Sequence, residues 1–89
     1  MKNFSIIIPV FNEEKNIEDL IDEINLCLKK YYDLFEIIIV DDGSKDNSLN
    51  VIKNIQKNHP VKLLEHNKNL GQSRSIYTGI QNSSAIVLL

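Results

Sequence analysis

Two short runs, Phe4–Val10 (FSIIIPV) and residues 36–40 (EIIIV), are apolar and largely β-branched at almost every position. A strand with one face in water alternates apolar and polar residues, whereas a strand covered on both faces has no need to. Both runs are therefore predicted as strands buried on two sides. Between them the period changes. Ile17, Leu20, Ile21, Ile24, Cys27, Leu28 and Tyr31 recur at three- and four-residue steps, which makes one apolar helical stripe over residues 13–30. Asn12 is the expected N-cap, with Glu13 and Glu14 at the positive end of the helix dipole and Lys29 and Lys30 at the other. Cys27 is the single cysteine, which excludes an internal disulfide and a cysteine-based zinc site. On the stripe it reads as a small buried hydrophobe.

The alternation continues along the chain. A second helix is expected over residues 47–57, capped by Ser44 or Asp46, with Leu49, Ile52 and Ile55 or Gln56 on its inner side and Pro60 as the stop signal. Val61–Glu65 (VKLLE) reads as a third strand, less apolar and so nearer an edge. A third helix follows over residues 72–82, and residues 85–89 (AIVLL) read as a fourth buried strand. Pro9 lacks an N–H, so the first run should leave the sheet near it. The order β-α-β-α-β-α-β predicts an α/β fold: an open, mostly parallel sheet of Rossmann-like units with right-handed crossovers, in one domain over residues 1–89.

Charge narrows the partners. The net charge is −2 and the ten basic residues are scattered, so the chain has no electrostatic footprint for nucleic acid and no polybasic membrane patch. No apolar run approaches the roughly 18 residues needed to span a bilayer. The N-terminus lacks the basic and apolar regions of a signal peptide, and a cytoplasmic, reducing location is the expectation.

Open parallel sheets bind ligands beyond the carboxyl ends of their strands. That directs attention to residues 11–14, 41–44 and 66–71, the segments richest in Asp, Glu, Asn and Gly. Asp41 and Asp42 are the clearest mark. Two carboxylates about 6 Å apart, at an effective dielectric near 20, repel by roughly 3 kcal/mol. Strand alternation sends them to different sides, one toward a ligand and the other toward the start of the next helix. The first crossover has neither G-x-G-x-x-G nor G-x-x-x-x-G-K-[ST], and Glu13 and Glu14 would repel a bare pyrophosphate. A divalent ion bridging a diphosphate to this acidic rim removes the conflict, while carboxylates accept hydrogen bonds from a base and a sugar. The residues thus favour a metal-bridged nucleotide over NAD. His66 ends the third strand within reach of a ligand, Gly71 permits a positive φ at the start of the third helix, and Arg74 lies one turn in. Tyr77 is expected to pack on the sheet, and His59 to cap a helix end or face solvent.

Three segments, SIIIPVFNEE, IIIVDDGSKDNS and NKNLGQSRSIYTGI, occur in an order and spacing that resemble the inverting family 2 glycosyltransferases of the GT-A fold, along the whole chain. The third segment is similar to the branch that transfers sugars to polyprenyl phosphates, dolichyl or undecaprenyl. The resemblance implies a UDP- or GDP-linked sugar donor. It implies that Pro9, Phe11 and Glu13 line the base and ribose, that Asp41 accepts a hydrogen bond from the base while Asp42 supports the turn, and that Gly71 closes the other side. It also implies direct displacement at the anomeric carbon, with a divalent metal, Mg or Mn, on the diphosphate leaving group. In the family the metal-binding Asp-x-Asp follows the fourth strand, where this sequence stops at Leu89, and the acceptor site and general base come later. The expectation is that these 89 residues hold donor-recognition parts but do not transfer sugar alone, and that the AIVLL strand leaves an open edge prone to self-association. Two rival readings remain: a non-catalytic nucleotide-binding or interaction module, and a phospho-acceptor receiver-like domain. The latter wants its acidic pair after the first strand and a further Asp after the third.

Overall fold

The computed structural model describes residues 3–83 and, for the backbone, 86–88. Its elements in chain order are β1 (Phe4–Val10), α1 (Ile17–Cys27), a 3-10 helical segment (Lys29–Leu34), β2 (Phe35–Asp41), α2 (Ser48–Ile55), β3 (Val61–Glu65), α3 (Gln72–Gln81) and β4 (Ile86–Leu88). The four strands form one parallel sheet in the order β3-β2-β1-β4. The two most apolar runs, β1 and β2, occupy the centre, and the more polar β3 lies at an edge. Register runs from Phe4↔Phe35 to Val10↔Asp41 and from Ile37↔Val61 to Asp41↔Glu65. Val10, Asp41 and Glu65 are therefore neighbours at the carboxyl end, and the three following loops emerge side by side.

Pleating divides the apolar side chains between two layers. Ile8, Val10, Ile37 and Ile39 pack with Ile17 and Ile21 of α1 and with Ile52 and Ile55 of α2. Ile7, Ile38 and Val40 form the core of the opposite face, with Leu64 packed against them. That face is covered by α3, whose buried residues are Ser75 and Gly79. These small residues let the helix lie close to the sheet. A Cβ on Gly79 would stand 2.5 Å from Ile7 Cγ2.

Several local expectations change. Strand β1 continues through Pro9 to Val10 beside β2: Val10 O accepts from Asp42 N–H at 2.8 Å, so by strand alternation the missing donor of Pro9 faces away from β2. Helix α1 begins at Ile17, with Asn16 at its N-cap, rather than after Asn12, because the intervening backbone is engaged by side chains of another loop. Only Ile17 and Ile21 of its stripe are buried, with Ile24 and Leu28 partly so. Cys27 is exposed: the helix ends there, and it lies beside the inward-facing line rather than on it. Tyr77 is 54% exposed and accepts a hydrogen bond from Gln81 Nε2 instead of packing on the sheet. His59 is at the surface, 3.2 Å from Asp22. Ala85, Leu89 and the burial of the fourth strand lie outside the described residues.

Candidate functional site: a cleft at the carboxyl edge

The first two loops are stitched together by side chains acting on backbone. Asn12 and Glu13 donate their N–H groups to Ser44 Oγ at 2.9 Å and Ser48 Oγ at 2.8 Å. Glu14 N–H donates to Asp46 Oδ2 at 3.3 Å. In return Asn12 Oδ1 accepts from the N–H groups of Lys45 at 2.8 Å and Asp46 at 3.3 Å. Asn12 reaches that position with φ 55, a left-handed conformation that Asn tolerates better than most residues. Asp46 also accepts from Ser48 N–H at 2.9 Å, but the N-cap position of α2 is held by Asn47, which makes no side-chain capping bond, rather than by Ser44 or Asp46. Its pKa is below the ordinary carboxylate value: desolvation pushes it up, but hydrogen bonds from Ser48, Glu14 and its own N–H outweigh that.

Asp42 organises the third loop. Its side chain, on a residue only 3% exposed, receives four hydrogen bonds, two on each oxygen. Oδ1 takes His66 Nδ1 at 2.8 Å and Leu70 N–H at 2.8 Å; Oδ2 takes Asn69 Nδ2 at 3.0 Å and Gly71 N–H at 2.9 Å. Burial alone would raise the pKa of this carboxyl. The His66 hydrogen bond, the Leu70 and Gly71 amides and the His66 charge act the other way and hold it below its ordinary value. The adjoining turn needs Gly43, which has φ 70 and would put a Cβ 2.5 Å from the Lys68 carbonyl carbon. Gly71, at φ 101, starts α3.

These contacts leave a cleft of about 420 Å³, lined by Pro9, Val10, Phe11, Glu13, Asp42, Asn69, Gly71, Gln72 and Ser75. The structure thus brings Pro9, Phe11, Glu13, Asp42 and Gly71 together. Phe11 is 42% exposed there, and Glu13 Oε2 accepts from Asn16 Nδ2 at 3.1 Å. Asp41 does not line this cleft. As the last residue of β2 it points to the face opposite Asp42, where Oδ2 accepts from Ser44 N–H at 3.3 Å and Oδ1 is buried without a hydrogen-bond partner. Neither aspartate caps α2. Arg74 is also absent from the lining. Asn69 falls in the 66–71 segment that the sequence points to, whereas Gln72 and Ser75 fall outside it; their signal is their position about one helical turn or less beyond Gly71. Among the described residues no three His, Cys, Asp or Glu side chains are grouped to hold a metal ion. The acidic rim therefore does not by itself fit the ion that a diphosphate would need.

A parallel sheet with a polar cleft across the ends of its central strands defines a ligand-binding α/β protein. Residues 5–89 match the family described as Glycosyl transferase family 2, and the chain belongs to that family. This membership removes the receiver-like reading. The Undecaprenyl-phosphate 4-deoxy-4-formamido-L-arabinose transferase of Yersinia pestis (strain Pestoides F) is 37% identical over 92 residues, covering 100% of this chain and 28% of that protein. The enzyme of the same name from Proteus mirabilis (strain HI4320) is 33% identical over 88 residues, covering 96% of this chain and 27% of that protein. The chain thus spans little more than a quarter of the length of these curated relatives. Among solved structures, S. aureus TarS 1-349 in complex with UDP-GlcNAc superposes with TM-score 0.83 at 27% identity, over 99% of this chain and 25% of that one. The mannosyltransferase PcManGT from Pyrobaculum calidifontis, in complex with GDP-Man and Mn2+, superposes with TM-score 0.82 at 24% identity, over 92% of this chain and 24% of that one, and shares the fold. The fold is that of the GT-A glycosyltransferases.

Proposed function

We propose that the 420 Å³ cleft binds the nucleotide part of a UDP- or GDP-linked sugar, and that the longer protein transfers that sugar to an acceptor. The observation that carries this reading is the meeting of Pro9, Phe11, Glu13, Asp42 and Gly71 around one opening at the carboxyl edge. Pro9 and the exposed ring of Phe11 offer an apolar surface to a base, and Glu13 offers acceptors to ribose hydroxyls. Asp42, with both oxygens doubly engaged by protein donors, supports the turn. Asp41 lies outside this cleft, in a neighbouring hollow shared with Ser44 and Glu65, and its Oδ1 is buried, so no contact with a base seated on Pro9 and Phe11 is proposed for it. Residues 1–89 are then the donor-binding half of a longer domain.

A divalent ion, Mg or Mn, belongs to the reading as the partner of the diphosphate, with ligands outside the described residues. The acceptor is a polyprenyl phosphate, which places the longer protein at the cytoplasmic face of a membrane. The names of the relatives support this acceptor. No helix among the described residues is long and apolar enough to cross a membrane.

Isothermal titration with UDP-GlcNAc and GDP-Man, each with and without Mn2+, tests the proposal. Selective binding of one nucleotide is expected. Phe11→Ala should weaken it about tenfold, as loss of a well-covered aromatic contact worth ~1.5 kcal/mol requires. Binding of neither nucleotide would point instead to a non-catalytic interaction module.

A further inference from the structure

His66 stands behind the cleft rather than in it. Its side chain is only 9% exposed, and the cleft is lined without it. Nδ1 lies 2.8 Å from Asp42 Oδ1 and Nε2 lies 2.9 Å from Thr78 Oγ1. An ionised carboxylate only accepts, so Nδ1 donates to Asp42, and the Thr78 hydroxyl, which both donates and accepts, pairs with Nε2. Both ends of the ring are therefore satisfied. The backbone is held as well, because His66 N–H donates to the Asp41 carbonyl at 2.9 Å.

We infer that His66 is a positioning residue for the donor site: it holds Asp42 and, through Asp42, the wall formed by residues 69–71. The inference rests on the nucleotide reading above. The other three hydrogen bonds to the Asp42 side chain come from Asn69, Leu70 and Gly71. That segment has little packing of its own: Leu70 is 43% exposed, and Gly71 has φ 101. Its position is set by the carboxylate, and the carboxylate's orientation is set from behind by the imidazole. Thr78 completes a closed circuit. Gly71 is the N-cap of α3 and Thr78 lies in the second half of that helix, so the cleft wall runs directly into the helix that anchors the residue holding it.

The test uses the full chain with UDP-GlcNAc and GDP-Man as probes, together with amide hydrogen exchange at Leu70 and Gly71. His66→Ala should weaken binding about tenfold, the result of leaving a buried acceptor without its donor. His66→Asn, whose amide nitrogen can take the place of Nδ1, should return to within about threefold of the wild type, and Thr78→Val should lose about threefold. Exchange at Leu70 and Gly71 should rise in His66→Ala while the β1–β2 ladder stays protected. A general loss of stability would raise exchange throughout, and Asn would not rescue it; that pattern overturns the inference. If the wild type binds a probe and His66→Ala binds it equally well, the positioning role fails while the nucleotide reading stands. If the wild type binds neither probe, both fall. Should His66→Ala not fold, His66→Asn and Thr78→Val carry the comparison: Thr78→Val binding as tightly as the wild type, with unchanged exchange at Leu70 and Gly71, overturns the inference.

Discussion

At the residue scale, two adjacent aspartates have opposite situations. Asp41 keeps one oxygen without a partner, whereas Asp42 has two donors on each oxygen. Because the pKa of Asp42 is lowered on folding, its contribution to stability is complete above the ordinary carboxylate value and is lost as pH falls through the lower folded value. Protection of the Leu70 and Gly71 amides should therefore hold at neutral pH and fall in acid, below about pH 4. Asp42→Asn should flatten that response and cost ~1–3 kcal/mol in urea unfolding, since an amide turned among donors leaves some of them unsatisfied. Gly43→Ala should cost about 2 kcal/mol or more by the same measurement. Its φ of 70 strains a side chain, and the added carbon would meet the backbone of Lys68 and Asn69. An Asp-Gly pair favours a turn by local chemistry alone. The backbone that Gly43 has to clear belongs to a loop some 25 residues later, which no local signal reveals.

At the element scale, a loop is shaped by a neighbour rather than by its own propensity. Asn12, Glu13 and Glu14 have the composition of a helix start, yet their N–H groups are taken by Ser44, Ser48 and Asp46, and α1 begins only at Ile17. Asn12→Ala loses both the amide acceptor and the tolerance of φ 55, and should destabilise the chain by ~1–2 kcal/mol in thermal or urea unfolding. Asn12→Gly keeps the conformation and should lose less. On the other face, α3 owes its closeness to Gly79. Alanine there gains about 1 kcal/mol of helix propensity but collides with Ile7 Cγ2, a carbon on a stiff β-branched side chain. Gly79→Ala should therefore be destabilising overall, because overpacking costs ~1–3 kcal/mol and α3 must lift from the sheet; a higher unfolding midpoint would contradict this.

At the scale of the whole molecule, the sheet order leaves β3 and β4 with one neighbour each among the described residues. Lys62 and Glu65 make β3 a poor template for another strand, whereas the AIVLL run carries no charge. Light scattering on the 89-residue chain should show concentration-dependent self-association; a monodisperse monomer at high concentration would refute it. What was readable in advance follows from local physics. Doubly apolar runs, a helical stripe and well-placed turn residues specify strands, helices and their parallel order, because burial and period act over a few residues. They also place the candidate residues at one sheet edge, because parallel strands end together. The tertiary structure alone decided which of them meet. Asp41 and Asp42 part because the pleat turns them to opposite faces, and Asp42 gains its partners because His66 and the 69–71 amides arrive from more than 20 residues away. Cys27 and Tyr77 are exposed for the same reason: a helix's period tells which residues share a line, but only the packed sheet decides which line turns inward.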